Sequence, residues 1–195
     1  MAIPKPLLTY LQKSKINFEP VTHKTVFTAF DLARTLRVDF KEVAKTLIVK
    51  GDNNYFIVVL SAAQMLDFGG LKKLLNAKKI EIAREKVMET VFKIPMGTIT
   101  PFPGFYKTSQ LCLEKGLLKM KKIVVGGGSY NDAIKIKPAD LVKLEKPIVG
   151  TFGVKAKIKL PKPSKPKAKK PAAKKPAKKN KKVVLRKKAA KKRKS

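Results

Sequence analysis

Glu42-Val43-Ala44-Lys45-Thr46-Leu47-Ile48-Val49-Lys50 reads as the end of a helical turn running straight into a buried strand. A turn at Gly51-Asp52-Asn53-Asn54 separates it from a second, more apolar strand, Tyr55-Phe56-Ile57-Val58-Val59-Leu60, at hairpin distance. Lys45 stands where the first of these core strands begins. A lysine in that place either snorkels outward along its apolar stem or points into a site.

Upstream of the hairpin, residues 4–15 read as a short amphipathic helix, with Leu7, Leu8, Leu11 and Ile16 on one face and Pro4 and Pro6 in its first turn. Phe18 to Thr22 reads as a short strand ending at His23. Thr28-Ala29-Phe30-Asp31 opens a helix in the manner of a capping box, with Asp31 in place of the usual Glu or Gln. Leu32, Ala33 and Leu36 give that helix its buried side, and Asp39 caps the turn that leads to Lys45.

Downstream, a helix is predicted over Asp67 to Leu75, a strand over Ile80 to Ala83 and another short helix over 85–92. Pro95-Met96-Gly97-Thr98-Ile99-Thr100-Pro101-Phe102-Pro103-Gly104 is too rich in turn formers for a central strand, yet Ile99, Phe102 and Phe105 want burial. An ordered loop folded over a pocket satisfies both demands. Ser109 to Leu113, Ile123-Val124-Val125 and Ala133 to Ile136 read as strands, the last two joined through Gly126-Gly127-Gly128-Ser129. Pro138 starts the final helix, and Ile148-Val149 with Val154 to Leu160 offers an edge strand. Short helices interleave with strands without regular βαβ spacing, so the fold class is α+β on a mixed sheet.

The chain has 195 residues and a formal net charge of +33, distributed unevenly. Residues 161–195 hold 18 of the 46 Lys+Arg, five of the 13 prolines and none of the 13 Asp+Glu. Such a Lys/Pro/Ala-rich segment cannot bury enough surface to offset its ordering entropy and is expected to be disordered. Residues 1–160 then form one domain, itself basic at +15 (28 basic against 13 acidic side chains). A basic folded body points to a polyanionic partner, with nucleic acid the first candidate and a generally basic, solubilising surface the alternative. Cys112 is the only cysteine, which excludes a disulfide framework and fits a buried thiol in a reducing compartment. No apolar run approaches the length of a membrane span, and the N-terminus lacks a signal-peptide pattern; a soluble, cytoplasmic protein with no membrane association is expected.

Catalytic motifs are sparse. With one histidine and one cysteine, only scattered carboxylates remain as metal ligands, so neither a metal nor a cofactor is expected. A Ser–His–Asp arrangement would have to use His23, and no Gly-x-Ser-x-Gly elbow occurs. The triple glycine follows a strand but leads to another strand, which is not the setting of a dinucleotide fingerprint. Three successive glycines do let a main chain approach a ligand and aim N–H groups at it, and they equally suit a flexible hairpin connection.

In order along residues 4–145, these pieces resemble the YbaK/prolyl-tRNA synthetase-associated editing domain family. The series is a strand ending in His23, Thr28 starting a helix, Val43-Ala44-Lys45-Thr46-Leu47, the two long strands, and Leu66-Asp67 before a helix. It continues with Gly97-Thr98-Ile99-Thr100-Pro101-Phe102, Val124-Val125-Gly126-Gly127-Gly128, and Ile136 before Asp140-Leu141. The resemblance implies a barrel-like mixed sheet surrounded by short helices. It implies hydrolysis of the ester of mischarged aminoacyl-tRNA by an enzyme that lacks a conventional protein nucleophile, the attacking water being positioned by a ribose hydroxyl and backbone groups. Lys45 would be the catalytic cation, and His23, Thr46, Gly97, Thr98, Pro101, Phe102, Gly126, Gly127, Gly128 and Ser129 would bind substrate. The implied partners are the tRNA acceptor end at the body, the phosphate backbone along the basic tail, and an aminoacyl-tRNA synthetase. Val91-Phe92, Pro95-Met96 and Glu114 depart from the family pattern, which bears on pocket size and on the amino acid cleared. A non-catalytic RNA- or nucleic-acid-binding protein on the same fold is the alternative, motivated by the tail.

Overall fold

Leu7 and Leu11 stand one turn apart on α1 (Lys5–Lys13), which starts after Pro4 and buries both. β1 (Phe18–Thr22) carries the chain to His23. Thr28 caps α2 (Ala29–Leu36): its hydroxyl accepts the Asp31 N–H at 3.1 Å and donates to Asp31 Oδ2 at 2.6 Å. Asp31 is one methylene shorter than the glutamate of a standard capping box, and it meets the Thr28 hydroxyl rather than the Thr28 backbone. The computed structural model describes residues 3–107 and 110–156. The basic tail at 161–195, with its expected disorder, lies outside the described residues, as do Ser109 and residues 157–160 of the expected edge strand.

The hairpin read from residues 42–60 forms as β2 (Ala44–Gly51) and β3 (Asn54–Ser61), paired from Ala44–Ser61 to Gly51–Asn54. β4 (Gln64–Leu66), unmarked by any sequence pattern, leads into α3 (Phe68–Leu75), where Asp67 Oδ1 accepts the Gly69 N–H at 3.0 Å. After β5 (Ile80–Ile82), α4 (Glu85–Val87) widens into a π-helical turn over Met88–Phe92. The turn-rich loop ends in α5 (Pro103–Tyr106), followed by β6 (Gln110–Glu114) and a 3-10 turn over Lys115–Lys119. β7 (Ile123–Gly126) and β8 (Asp132–Ile136) flank the remaining glycines, and α6 (Pro138–Glu145), β9 (Ile148–Gly150) and β10 (Gly153–Lys155) complete the order.

The strands form a five-stranded sheet ordered β5-β2-β3-β6-β9, a three-stranded sheet β1-β8-β7, and a ribbon of β4 with β10. In the larger sheet β3–β6 and β6–β9 run parallel while β2 pairs antiparallel on both sides, so it is mixed. The barrel-like closure implied by the family resemblance is corrected here. A barrel needs an unbroken ladder around its circumference. Among the described residues the two larger sheets share a core but are joined by backbone pairing only at an isolated bridge between Val43 and Val124, and each stays open.

Alternation along the hairpin sends Ala44, Ile48, Ile57 and Val59 to one face, where they pack with Leu7, Leu11, Phe102 and Leu141. Val49, Val58, Leu60 and Cys112 take the other face with Leu71 of α3 and Phe152. Leu32 and Ala33 of α2 pack with Val43, Val124 and Ala133. Each fully buried aliphatic side chain of this kind stabilises the fold by roughly 1.5–3 kcal/mol. The sheet is therefore covered on both faces, and its variable part is an edge.

Candidate functional site

That edge belongs to β2. β7 docks at its start, where the Val124 N–H donates to the Glu42 carbonyl at 2.8 Å. β5 pairs with its end, from Val49 to Gly51, and the Ala83 N–H extends the contact to the Ile48 carbonyl at 2.9 Å. Peptide groups alternate sides along a strand, so those of Thr46 leave toward the same edge as those of Ile48. They find no backbone partner there among the described residues. The gap between β7 and β5 opens into a cavity of about 620 Å³ lined mainly by apolar side chains, including Leu32, Ile48, Ile82, Met88 and Ile99.

His23, Lys45, Thr46, Gly97, Gly126 and Ser129 all line this cavity. Thr98, Pro101, Phe102, Gly127 and Gly128 are not among its lining residues. Phe102 is fully buried in the main core, and the Thr98 hydroxyl donates to the Pro95 carbonyl at 2.8 Å. Pro101 is buried as well. The Gly127 N–H donates to the Asp132 carbonyl at 2.9 Å, and a Cβ on Gly127 would stand 2.8 Å from that oxygen. Gly128, at φ +88°, lies against Pro4 and Leu7 of the first helical turn. These five shape the two loops from behind.

Lys45 is the second residue of β2 and half-buried. Its ammonium donates to the Gln64 carbonyl and makes no ion pair among the described residues. Burial pushes its pKa below the ordinary lysine value, since desolvation disfavours the charged form. An ammonium carries three donors, so two remain for other acceptors. His23 Nδ1 lies 2.7 Å from the Lys24 carbonyl oxygen, which only accepts. That contact assigns the proton of the neutral ring to Nδ1 and leaves a lone pair on Nε2. His23 Nε2 and Thr46 Oγ1 are both buried and without a hydrogen-bond partner. Buried polar atoms without partners are uncommon and costly in native folds, and two on one cavity mark a place where a ligand would satisfy them.

Sequence reasoning missed Asp132, the only carboxylate among the lining residues. It is buried, accepting from the Ser129 hydroxyl at 2.6 Å through Oδ2 and from the Thr22 hydroxyl at 3.3 Å through Oδ1. Those bonds fix the glycine loop to β1. Phe27 and Tyr130 were also missed; both line the cavity, and the Tyr130 hydroxyl donates to the Met96 carbonyl at 2.7 Å, tying the two loops together. Of the departures from the family pattern, Met96 lines the cavity while Val91, Phe92 and Glu114 do not. Glu114 instead accepts the Phe152 N–H at 2.6 Å in the core. Alternation of a half-buried strand marks which residues face inward; it carries no sign of which loop atoms will meet.

Among known proteins, the proline–tRNA ligase of Thermosipho melanesiensis is 30% identical over 113 residues, 58% of this chain and 20% of that enzyme. The proline–tRNA ligase of Fervidobacterium nodosum is 32% identical over 109 residues, 56% of this chain and 19% of that enzyme. The chain thus spans about a fifth of the length of these curated relatives. In fold it is similar to the crystal structure of a hypothetical protein, at TM-score 0.71 and 22% identity over 77% of this chain and all of the other. It is also similar to the crystal structure of a protein proposed to be a trans-editing enzyme for prolyl tRNA synthetase, at TM-score 0.68 and 17% identity over 77% of this chain and 96% of that one. The family model for the aminoacyl-tRNA editing domain matches residues 23–144, more than half of the sequence, and the chain belongs to that family.

Proposed function

We propose that the protein is an aminoacyl-tRNA deacylase that acts in trans, hydrolysing the ester bond of mischarged aminoacyl-tRNA. The observation that carries this reading is the meeting of Lys45 with residues of both glycine-containing loops, Gly97 and Gly126, at one cavity of about 620 Å³. The membership of residues 23–144 in the editing family supports it. Water adds to the ester carbonyl carbon, the carbonyl oxygen takes up negative charge, and the bond to the ribose oxygen then breaks to release amino acid and tRNA. In this reading the Lys45 ammonium positions the charged end of the substrate and is not a general base. The free N–H on the open β2 edge is suited to a developing oxyanion, where such donors matter by a few kcal/mol each. His23 Nε2 and Thr46 Oγ1 are acceptors for the substrate's ammonium or ribose hydroxyl.

The test is a panel of mischarged tRNAs incubated with the full chain, with free amino acid release as the readout. At least one member of the panel is expected to be deacylated faster than its spontaneous hydrolysis. If every ester survives, the deacylase reading fails. Retained tRNA binding in that case would favour the non-catalytic RNA-binding alternative, which draws on the +33 charge of the chain.

A further inference from the structure

The residue that receives the Lys45 ammonium is itself tied to the far end of the described chain. β10 (Gly153–Lys155) lies beyond residue 144, where the match to the editing family stops. It pairs antiparallel with β4 in the register Gly153–Leu66, Val154–Met65 and Lys155–Gln64. Backbone bonds close both ends of the ribbon: the Asp67 N–H donates to the Phe152 carbonyl at 2.8 Å, and the Ala156 N–H to the Ala63 carbonyl at 3.2 Å. Bonded and non-bonded pairs alternate along an antiparallel ladder, so Gln64, next to the Ala63–Ala156 pair, sends its own peptide groups to the opposite edge of β4. There its carbonyl accepts the Lys45 ammonium. The Gln64 side chain lies over β10, its Nε2 donating to the Gly153 carbonyl at 3.2 Å. Gly153 leaves it room, since a Cβ there would stand 2.5 Å from that Nε2. β10 is anchored in turn by Phe152, fully buried, whose N–H donates to the buried Glu114 carboxylate at 2.6 Å.

From this arrangement we infer that Gln64 is a positioning residue for Lys45, and that β10 is the brace that keeps Gln64 in place. The inference rests on the deacylase reading for what Lys45 acts on, and on the contacts alone for how Lys45 is held. A lysine on a flexible four-carbon stem extends its ammonium into water unless something holds it back. The Gln64 carbonyl takes one of the three donors and thereby aims the other two at the cavity. A shift of about an ångström at such a group costs up to about a hundredfold in rate. The ribbon therefore does for the ammonium what β3 does for the backbone of β2: it removes the alternatives.

The experiment compares full-chain wild type with Gln64→Ala, Gly153→Val and the double variant. Gln64→Ala deletes the amide that grips β10, and Gly153→Val drives that amide off. Each should slow single-turnover deacylation about tenfold. The double variant should be no slower than the slower single one, because both changes break the same contact. Competitive acetylation of the lysines across pH, read peptide by peptide in a mass spectrometer, supplies a readout that needs no substrate. Burial lowers the Lys45 pKa in wild type, so an ammonium released to water should titrate closer to the ordinary 10.5 in all three variants. His23, Tyr130 and Asp132, the other titratable groups lining the cavity, stay in place throughout. A Lys45 titration that does not move overturns the inference, even where the rate falls together with the thermal midpoint, since that marks a structural effect alone. Rate losses that add up in the double variant overturn it as well. A moved titration in a protein that deacylates no ester would sink the proposed function and leave the brace standing, and deacylation at the wild-type rate by all three variants would do the reverse.

Discussion

The two ends of strand β2 share one backbone and differ in what lies beside them. From Val49 to Gly51 the strand is paired on both sides, by β3 and by β5. From Ala44 to Thr46 it is paired by β3, and its other edge faces the cavity. At the closed end the side chains are core, with Val49 fully buried in the cluster beneath α3. The open end carries a half-buried lysine, an unpartnered threonine hydroxyl and an unreceived peptide group. A strand held in register along one edge can leave the other edge unsatisfied over a few residues, because the hairpin already fixes its position. Stability and site chemistry are thereby separated along a single element.

Lys45 and Leu60 are directly paired across that hairpin, which makes them the sharpest test of the separation. Lys45→Ala should reduce the rate of deacylation by about a hundredfold or more, on the scale of a lost electrostatic contact to the transition state. Its denaturant midpoint should stay close to that of wild type, since among the described residues the ammonium bonds only the Gln64 carbonyl. Leu60→Ala should do the opposite. Leu60 is fully buried among Leu71, Cys112 and Phe152, and truncation there costs about 2–5 kcal/mol of stability. The molecules that remain folded should hydrolyse ester at the wild-type rate. Chemical denaturation beside single-turnover deacylation decides the matter, and a Lys45→Ala protein that loses folding along with activity would dissolve the distinction.

The same contrast accounts for what the sequence disclosed. The hairpin was legible because an apolar run, a Gly-Asp-Asn-Asn turn and a second apolar run leave little choice of structure. Helix starts at Thr28, Asp67 and Pro138 were legible because a side-chain cap, or a proline in the first turn, is local chemistry. β4 was not, since Gln64–Leu66 is only three residues long and pairs with Gly153–Lys155, distant in the chain. Barrel closure fails because, among the described residues, β7 pairs just before β2 through the single Val43–Val124 bridge, a long-range outcome that no local pattern records. Three adjacent glycines look equivalent in sequence, yet Gly126 lines the cavity, Gly127 closes a hairpin bond and Gly128 faces Pro4. Asp132 opens a run that reads as an ordinary strand, and its burial makes sense only once Thr22 and Ser129 are seen to reach it.

The smallest expected effect concerns the cost of placing a cation at the open end. Burial lowers the Lys45 pKa from its ordinary 10.5, so the folded state disfavours the proton relative to the unfolded chain. Between the lowered value and 10.5 the unfolded state binds more protons, and wild-type stability gains as pH rises through that window. Below the window both states are protonated and the full desolvation cost is present. Lys45→Met keeps most of the apolar stem and removes the charge. It should therefore be slightly more stable than wild type near neutral pH, by an amount that shrinks as the pH approaches 10.5. Denaturant midpoints of the two proteins across that range measure the difference, with Val49→Ala as a reference whose destabilisation should not change with pH in the same way. A gap that widens toward alkaline pH would mean that the Gln64 contact stabilises the cation more than burial penalises it, and that the open end of β2 is built to hold a charge even before substrate arrives.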